Sequence, residues 1–449
     1  MVFAGIVIVA IIMYIRGFKI PALLIFFFYL TSGFNLVPEE VTKIGFITKG
    51  SDYAFAILVI IFIIDSLFVK GYLNRDNFTK YLIIFASFLI ICIFYSKFVI
   101  KLGWGDILRT CRYQFFWVIY FLFRSLKKDT LEILIKCLFF ITICTSIIYL
   151  LQIILDKSIL LEAFEGSFEI FGIILTRFYN QPDMLFFFTF MAIYHNPLKG
   201  IPKYLTMIIF TLALLGAYHR SLMGFFFVSI IVGYVVCLPY IKRIRFITVA
   251  SIFMLFVVVF WGYKFVNSRS YLDIKYVLSG DVADTNFDME NLGNATFTFR
   301  VLHLLERNQY LLENPKAMIF GAGLMPEDSN LVGKMFDFKI GLIEELTGEV
   351  VQLDTGDISY SILILRLGYL GTFLYLMLIV YLMVFFYKNK ENKYGLFSLL
   401  YLILAIGVSF FSSNLISPIN YILPLISYHI IKKTDSEVTL NEANTNEYQ

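Results

Sequence analysis

Seven residues carry most of the chemistry this chain could do: Arg177, Arg220, Arg300, Arg307, His219, His303 and Asp357. Arginine presents a planar fork of donors that clamps phosphate or carboxylate oxygens two at a time, so four of them suit an anionic ligand. A histidine or aspartate beside them could take a proton from a hydroxyl. Arg300, His303 and Arg307 stand at i, i+3 and i+7, with Asn314 at i+14, so a helix would point them from one face. That ridge is either a solvated polar face or a binding face, and it lies in an acidic stretch where cations are locally unusual. Arg220, after His219, stands between two apolar runs and either snorkels to lipid headgroups or holds an anion. Arg177 precedes Asn180-Gln181-Pro182-Asp183, where Asp183 is also a candidate helix-start residue. Asp357 is the last acid before an apolar run, and so is a candidate cap as well as a candidate base. No His/Cys/carboxylate cluster has metal-ligand spacing. No metal and no other cofactor is therefore expected, and arginines would supply the charge neutralisation that a divalent ion supplies elsewhere.

What must position these residues is a membrane scaffold. The chain has 449 residues, 59% hydrophobic and only 16% charged, whereas a soluble domain carries roughly 25% charged residues. Spans of the length a bilayer needs recur at 2–15, 20–36, 53–69, 81–98, 113–124, 131–155, 182–197, 203–218, 221–241, 246–265, 358–387, 394–413 and 415–431. The expected fold is thus all-α, a polytopic transmembrane bundle of about 12 to 13 spans with one large outer-face loop containing an amphipathic helix. The first run is a retained helix, because Arg16 and Lys19 follow it where a leader would have small residues. Basic residues collect on alternate connections, 18 against 9, which makes the richer side cytoplasmic and the N-terminus external. The connection from Lys97 to Arg112, with four basic residues, runs against that pattern.

The resulting organisation is 1–265 transmembrane, 266–357 an outer loop, 358–431 transmembrane, and 432–449 a disordered cytoplasmic tail. The loop holds 7 Lys/Arg against 15 Asp/Glu, and loops this long inside compact architectures usually carry function. Within it Phe297, Val301, Leu304, Leu305, Leu311 and Leu312 recur at helical spacing, with Thr296 as N-cap and Asn314-Pro315 as the stop. That helix is expected to lie along the membrane surface. Ile319-Phe320-Gly321-Ala322-Gly323 reads as a short strand entering a glycine turn. Cys92, Cys137, Cys144 and Cys237 lie in apolar runs without disulfide or metal spacing. No basic stripe with interleaved aromatics suggests nucleic acid.

Between Arg177 and Gly371 the chain resembles the Wzy-type O-antigen and surface-polysaccharide polymerases, within the O-antigen ligase-like superfamily. Arg177 with Asn180-Gln181-Pro182-Asp183 is similar to that family's Arg…Pro-Asn element, with Asp183 in place of asparagine. Tyr218-His219-Arg220-Ser221 is similar to its Ser-Arg element, with histidine where serine is common. Arg300, Asn314-Pro315 and Phe320-Gly321-Ala322-Gly323 follow its Arg…Pro…Gly-x-Gly order. Asp357, ahead of Gly368-Tyr369-Leu370-Gly371, falls where ligase members carry histidine, which favours a polymerase. The first 150 residues match in hydropathy alone.

The resemblance implies a multi-pass protein of the bacterial cytoplasmic (inner) membrane that transfers a glycan from polyprenyl (undecaprenyl) diphosphate to an acceptor repeat unit on the outer face, inverting the anomeric centre. Its partners would be the undecaprenyl-diphosphate-linked oligosaccharide, the lipid bilayer, a chain-length regulator and a flippase. Arg220 and Arg300 would hold the diphosphate, Arg177, Arg307 and His219 would make further substrate contacts, and Asp357 or His303 would act on the acceptor hydroxyl. The rivals are a ligase that moves the glycan onto another acceptor and a non-enzymatic oligosaccharide flippase. One lopsided loop and few intramembrane charges favour an enzyme over a transporter built from internal repeats.

Overall fold

The computed structural model describes residues 2–43, 49–69, 71–73, 76–161, 165–170, 173–178, 180–216, 219–237, 239, 241–242, 244, 248, 296–343, 348–354 and 358–447. The expected span 246–265 apart from residue 248, the loop up to residue 295, and Asp357 lie outside them.

Apolar runs without internal breakers form helices, and Gly, Pro and charged residues punctuate them. In chain order these are α1 (Val2–Ile15), α2 (Lys19–Leu30), α3 (Gly50–Phe68), α4 (Asn77–Phe94), α5 (Trp104–Phe115), α6 (Ile119–Ser125) and α7 (Lys128–Leu155). An antiparallel hairpin of β1 (Glu165–Ile170) and β2 (Ile173–Phe178) follows, with Arg177 opposite Gly166. Then come α8 (Leu185–Tyr194), α9 (Lys203–Gly216), α10 (Arg220–Cys237), α11 (Thr296–Glu313), α12 (Pro315–Phe320), α13 (Ser359–Lys388), α14 (Gly395–Val408) and α15 (Ile419–Glu447). Among the described residues four helices are long and apolar enough to cross a membrane: α3, α4 with the π-turn that carries it to Val99, α7 and α13. The 19 residues of α3 cover about 28 Å, close to the roughly 30 Å of a hydrocarbon core. Six more helices are apolar but shorter.

The outward faces are apolar too. On α3 Ile60, Ile63 and Leu67 are 38%, 50% and 73% exposed at i, i+3 and i+7, a stripe that suits lipid better than water. Inside, α13 runs between α4, α14 and α15, and Trp117 stacks on Tyr421 at 4.1 Å with the rings nearly parallel. The one buried carboxylate of α3, Asp65, accepts from Tyr14 at 2.6 Å and Ser125 at 3.3 Å, so its burial leaves no acceptor stranded.

Contacts between connections sort them into two ends. At one end Ser96 Oγ accepts from the Leu324 amide at 2.9 Å, Arg109 pairs with Asp328 and Arg112 with Asp52, and Leu161 N donates to Asn35 O. At the other, Lys432 pairs with Asp76, Lys128 with Glu437, Lys433 donates to Arg124 O and Lys390 to Val236 O. The first is the loop end, and the second collects the lysine-rich connections. The basic connection from Lys97 to Arg112 belongs to the loop end, where carboxylates of neighbouring segments answer Arg109 and Arg112.

Four expectations change. The stretch 113–124 is not one helix, because a 3-10 turn at Phe116–Val118 separates α5 from α6. Ile319 and Phe320 end α12 rather than forming a strand, since Pro315 at the first helical position pre-sets the backbone for a helical turn. The segment expected as a disordered tail continues α15 through Glu447. Helix α11 also turns its polar ridge inward: His303 and Arg307 are buried while Leu305 and Leu312 are 45% and 57% exposed. It lies against α13, where Tyr369 donates to Asn308 Oδ1.

Candidate functional site

Two glycine motifs 47 residues apart in sequence meet at the loop end. α13 is broken at Gly368, whose φ of 65° and ψ of −176° lie in a region essentially closed to side chains. Gly321, after α12, has φ 71° and ψ −171°. A Cβ on Gly368 would come within 2.5 Å of the Ile319 carbonyl, and one on Gly321 within 2.5 to 2.6 Å of the carbonyls of Leu365 and Arg366. Between them the Ala322 amide donates to Leu365 O at 2.6 Å. The break thus frees a carbonyl of α13, and the loop's glycine turn satisfies it. Such a break inside a bundle is tolerated where protein or a cavity covers it.

Arg366 stands two residues before the break and faces an open cavity of about 750 Å³. Lys43, Lys49, Arg109 and Arg112 line the same cavity, against Glu327, Asp328, Glu349 and Asp354. Arg109 meets Asp328 through both nitrogens, at 2.6 and 2.7 Å. Arg112 pairs with Asp52 in a nearly buried contact, and Arg366 pairs with Asp354. One wall is built by Glu327, whose carboxylate accepts from the amides of Gln352, Leu353 and Asp354 at 2.6 to 2.9 Å. That turn presents Asp354 to Arg366.

Arg307 fastens the wall from behind. It is 0% exposed and donates to Ile340 O, to Gln352 O at 2.9 Å and to Glu306 at 2.6 Å, with its guanidinium 4.3 Å from the Phe338 ring centroid. Burial lowers its pKa to about 10, against the opposing pull of Glu306. The expected ligand contact is therefore not offered by this arrangement. Arg307 is a positioning residue that ties segments 338–340 and 350–354 to α11.

A second cluster flanks the arm of α13 before the break. His303 Nδ1 lies 2.8 Å from Ser361 Oγ, and burial with the nearby Arg307 pushes its pKa down to about 3. So weak a base is suited to orienting a hydroxyl, not to taking its proton at neutral pH. Arg300, one turn earlier, lies over the Phe411 ring at 5.4 Å, and Phe411 touches Phe225 of α10. Arg220 opens α10, so the chain brings the α10 start and Arg300 to one corner, though the Arg220 side chain lies outside the described residues. His219 Nδ1 is 3.1 Å from Ser221 Oγ. Arg177 lies on β2 with its side chain likewise undescribed. Among the described residues no three His, Cys, Asp or Glu side chains converge as a metal site.

The residues sequence reasoning missed are Arg109, Arg112 and Arg366. Arg366 had a signal: an arginine inside Ile362-Leu363-Ile364-Leu365-Arg366-Leu367 is costly in a bilayer unless it faces a cavity or partner. Comparison with models of known protein families gives no match, and none of the curated proteins matches the chain.

Proposed function

We propose that the chain is a metal-independent inverting glycosyltransferase of the bacterial cytoplasmic (inner) membrane, spanning it about 12 to 13 times with the loop end outside. It polymerises oligosaccharide repeat units carried on polyprenyl diphosphate. The observation that carries this reading is the cationic cavity, walled entirely by segments of one end of the bundle, beside a helix broken at the paired glycine motifs. In this reading the donor diphosphate lies among Arg366, Arg109 and Arg112, with Arg220 and Arg300 at the adjoining corner. As the glycosyl C–O bond breaks, charge grows on the leaving diphosphate, and fixed guanidinium donors stabilise it without reorganising. The acceptor hydroxyl attacks from the opposite face and passes its proton to Asp357, with His303 in an orienting role.

The broken α13 would also suit a transporter of the same lipid, since transporters build sites from discontinuous helices. Proteoliposomes containing the full chain and lipid-linked repeat units separate the two. The polymerase reading expects a ladder of lengthened glycans, and Arg366→Ala or Arg109→Ala should slow it by roughly 10²- to 10³-fold, the usual cost of losing one fixed donor to developing charge. Transbilayer movement of the lipid without any ladder would overturn it in favour of transport.

A further inference from the structure

A smaller cavity of about 210 Å³ opens at the same end and has different chemistry. A bridging cavity of about 160 Å³ shares Asp183 and Ser417 with it, and Lys49 and Tyr113 with the cationic cavity. Asn35, Gln181, Asn414 and Ser417 line the small cavity together with Asp183, Tyr401 and Phe186. The side chains of those four polar residues make no hydrogen bond to another described residue.

Their supports, by contrast, are fully paired. Asn180 accepts from Gln152 at 2.7 Å and donates to Leu160 O at 2.6 Å, which fixes the segment bearing Gln181. Tyr401 donates to Asn420, which donates to Asn414 O. Asn35 is delivered by a left-handed turn, with φ values of 46°, 68°, 57° and 63° from Ser32 to Asn35. L-residues avoid that conformation, and it persists where surroundings over-determine it, often at binding sites. Here Thr31 Oγ1 accepts from the Phe34 amide and Leu161 N donates to Asn35 O.

A carboxamide offers two donors and an acceptor without charge, and a sugar hydroxyl is likewise donor and acceptor. Three carboxamides and a hydroxyl beside aromatic residues therefore match a neutral sugar, whereas the carboxylate of Asp183 in the same wall disfavours phosphate, which would seek the arginines. We propose that this cavity is a glycan subsite that holds an uncharged sugar unit of the oligosaccharide while the diphosphate lies in the cationic cavity. The identity of that oligosaccharide rests on the polymerase reading.

The probe is the repeat-unit oligosaccharide freed of lipid and diphosphate by mild acid, titrated against the full chain in nanodiscs by saturation-transfer NMR. Wild type should bind it. Asn414→Ala should weaken binding by roughly threefold to tenfold, as should Asn35→Gly, which removes the carboxamide yet keeps the left-handed backbone unstrained. Arg366→Ala should leave saccharide binding unchanged and lose inorganic pyrophosphate. Absence of binding to wild type at millimolar concentration, or equal binding by both Asn variants, overturns the subsite. Saccharide binding without chain extension in proteoliposomes would uphold the subsite and remove the polymerase reading.

Discussion

Replacing Gly368 with alanine tests whether the broken helix is a built joint. Two costs arise at that position. The backbone at φ 65°, ψ −176° admits a side chain only with about 1–3 kcal/mol of strain. The new methyl also meets the Ile319 carbonyl carbon and oxygen at 2.5 Å and the Gly321 amide nitrogen at 2.8 Å, backbone atoms that cannot swing aside, adding roughly 1–3 kcal/mol of overpacking. Gly321→Ala carries the same pair of costs, so each variant should lose about 2–6 kcal/mol. Both methyls intrude on one contact, however. Once the first forces the turns apart, the second adds mainly its own strain, and the double variant should fall short of additivity by about 1–3 kcal/mol. Gly105→Ala is the control, because its Cβ would meet nothing within 4 Å. Buried Cys92 and Cys111 report unfolding by reaction with a fluorogenic thiol dye as the purified protein is heated in detergent, once half-buried Cys137 and exposed Cys144 and Cys237 are replaced by serine. Gly368→Ala melting with wild type, or a fully additive double variant, would refute the joint.

Three further outcomes follow from the same contacts. Arg307→Ala should cost about 3–5 kcal/mol by stranding buried partners and should raise hydrogen exchange across 338–354, while Arg307→Lys should not rescue it, since one ammonium cannot reach both Ile340 O and Gln352 O. His303, held in the fold near pKa 3 against an ordinary 6.5, binds fewer protons folded than unfolded, so its contribution is full above about pH 6.5 and is lost as pH falls toward 3; His303→Gln should flatten the acid side of a stability profile measured from pH 4 to 7. In a cysteine-free background a cysteine at exposed Lys334 should react with a membrane-impermeant reagent in cells with a permeabilised outer envelope, and one at exposed Lys388 should react only after the inner membrane is lysed; the reverse would invert the topology.

Much of the architecture was legible because long apolar runs have few alternatives to helix. The boundaries of α1 and α13 follow directly from where charge and glycine interrupt the hydropathy. Helix α11 was legible in extent but not in orientation. Periodicity reports where apolar residues fall, and the usual inference is that they face inward. Here the inward face is the one with His303 and Arg307, because the partners are the hydroxyl of Ser361 and loop carbonyls that need donors. No count of apolar positions contains that information, since it resides in segments 33 to 58 residues away.

Among the described residues that line the arginine-bearing cavity, none is one of the seven singled out in the sequence. The sequence shows arginines in the outer connections and two separate glycine motifs, yet the joining of those motifs is a tertiary fact. Arg109 and Arg112 run against the charge pattern of the sequence because their answering carboxylates, Asp328 and Asp52, are distant in sequence. Those pairs are also unequal. Arg112 and Asp52 are 7% and 17% exposed, Arg366 and Asp354 14% and 44%, and Arg109 and Asp328 33% and 65%. Exposed pairs are worth roughly 0–1 kcal/mol, and a diphosphate, with more charge and more acceptor oxygens, competes well for the same guanidinium forks. In the proposed reading the resting cavity is neutralised by carboxylates, Arg112 is fixed in the wall, and an incoming diphosphate takes Arg109 and Arg366 from their more exposed carboxylate partners.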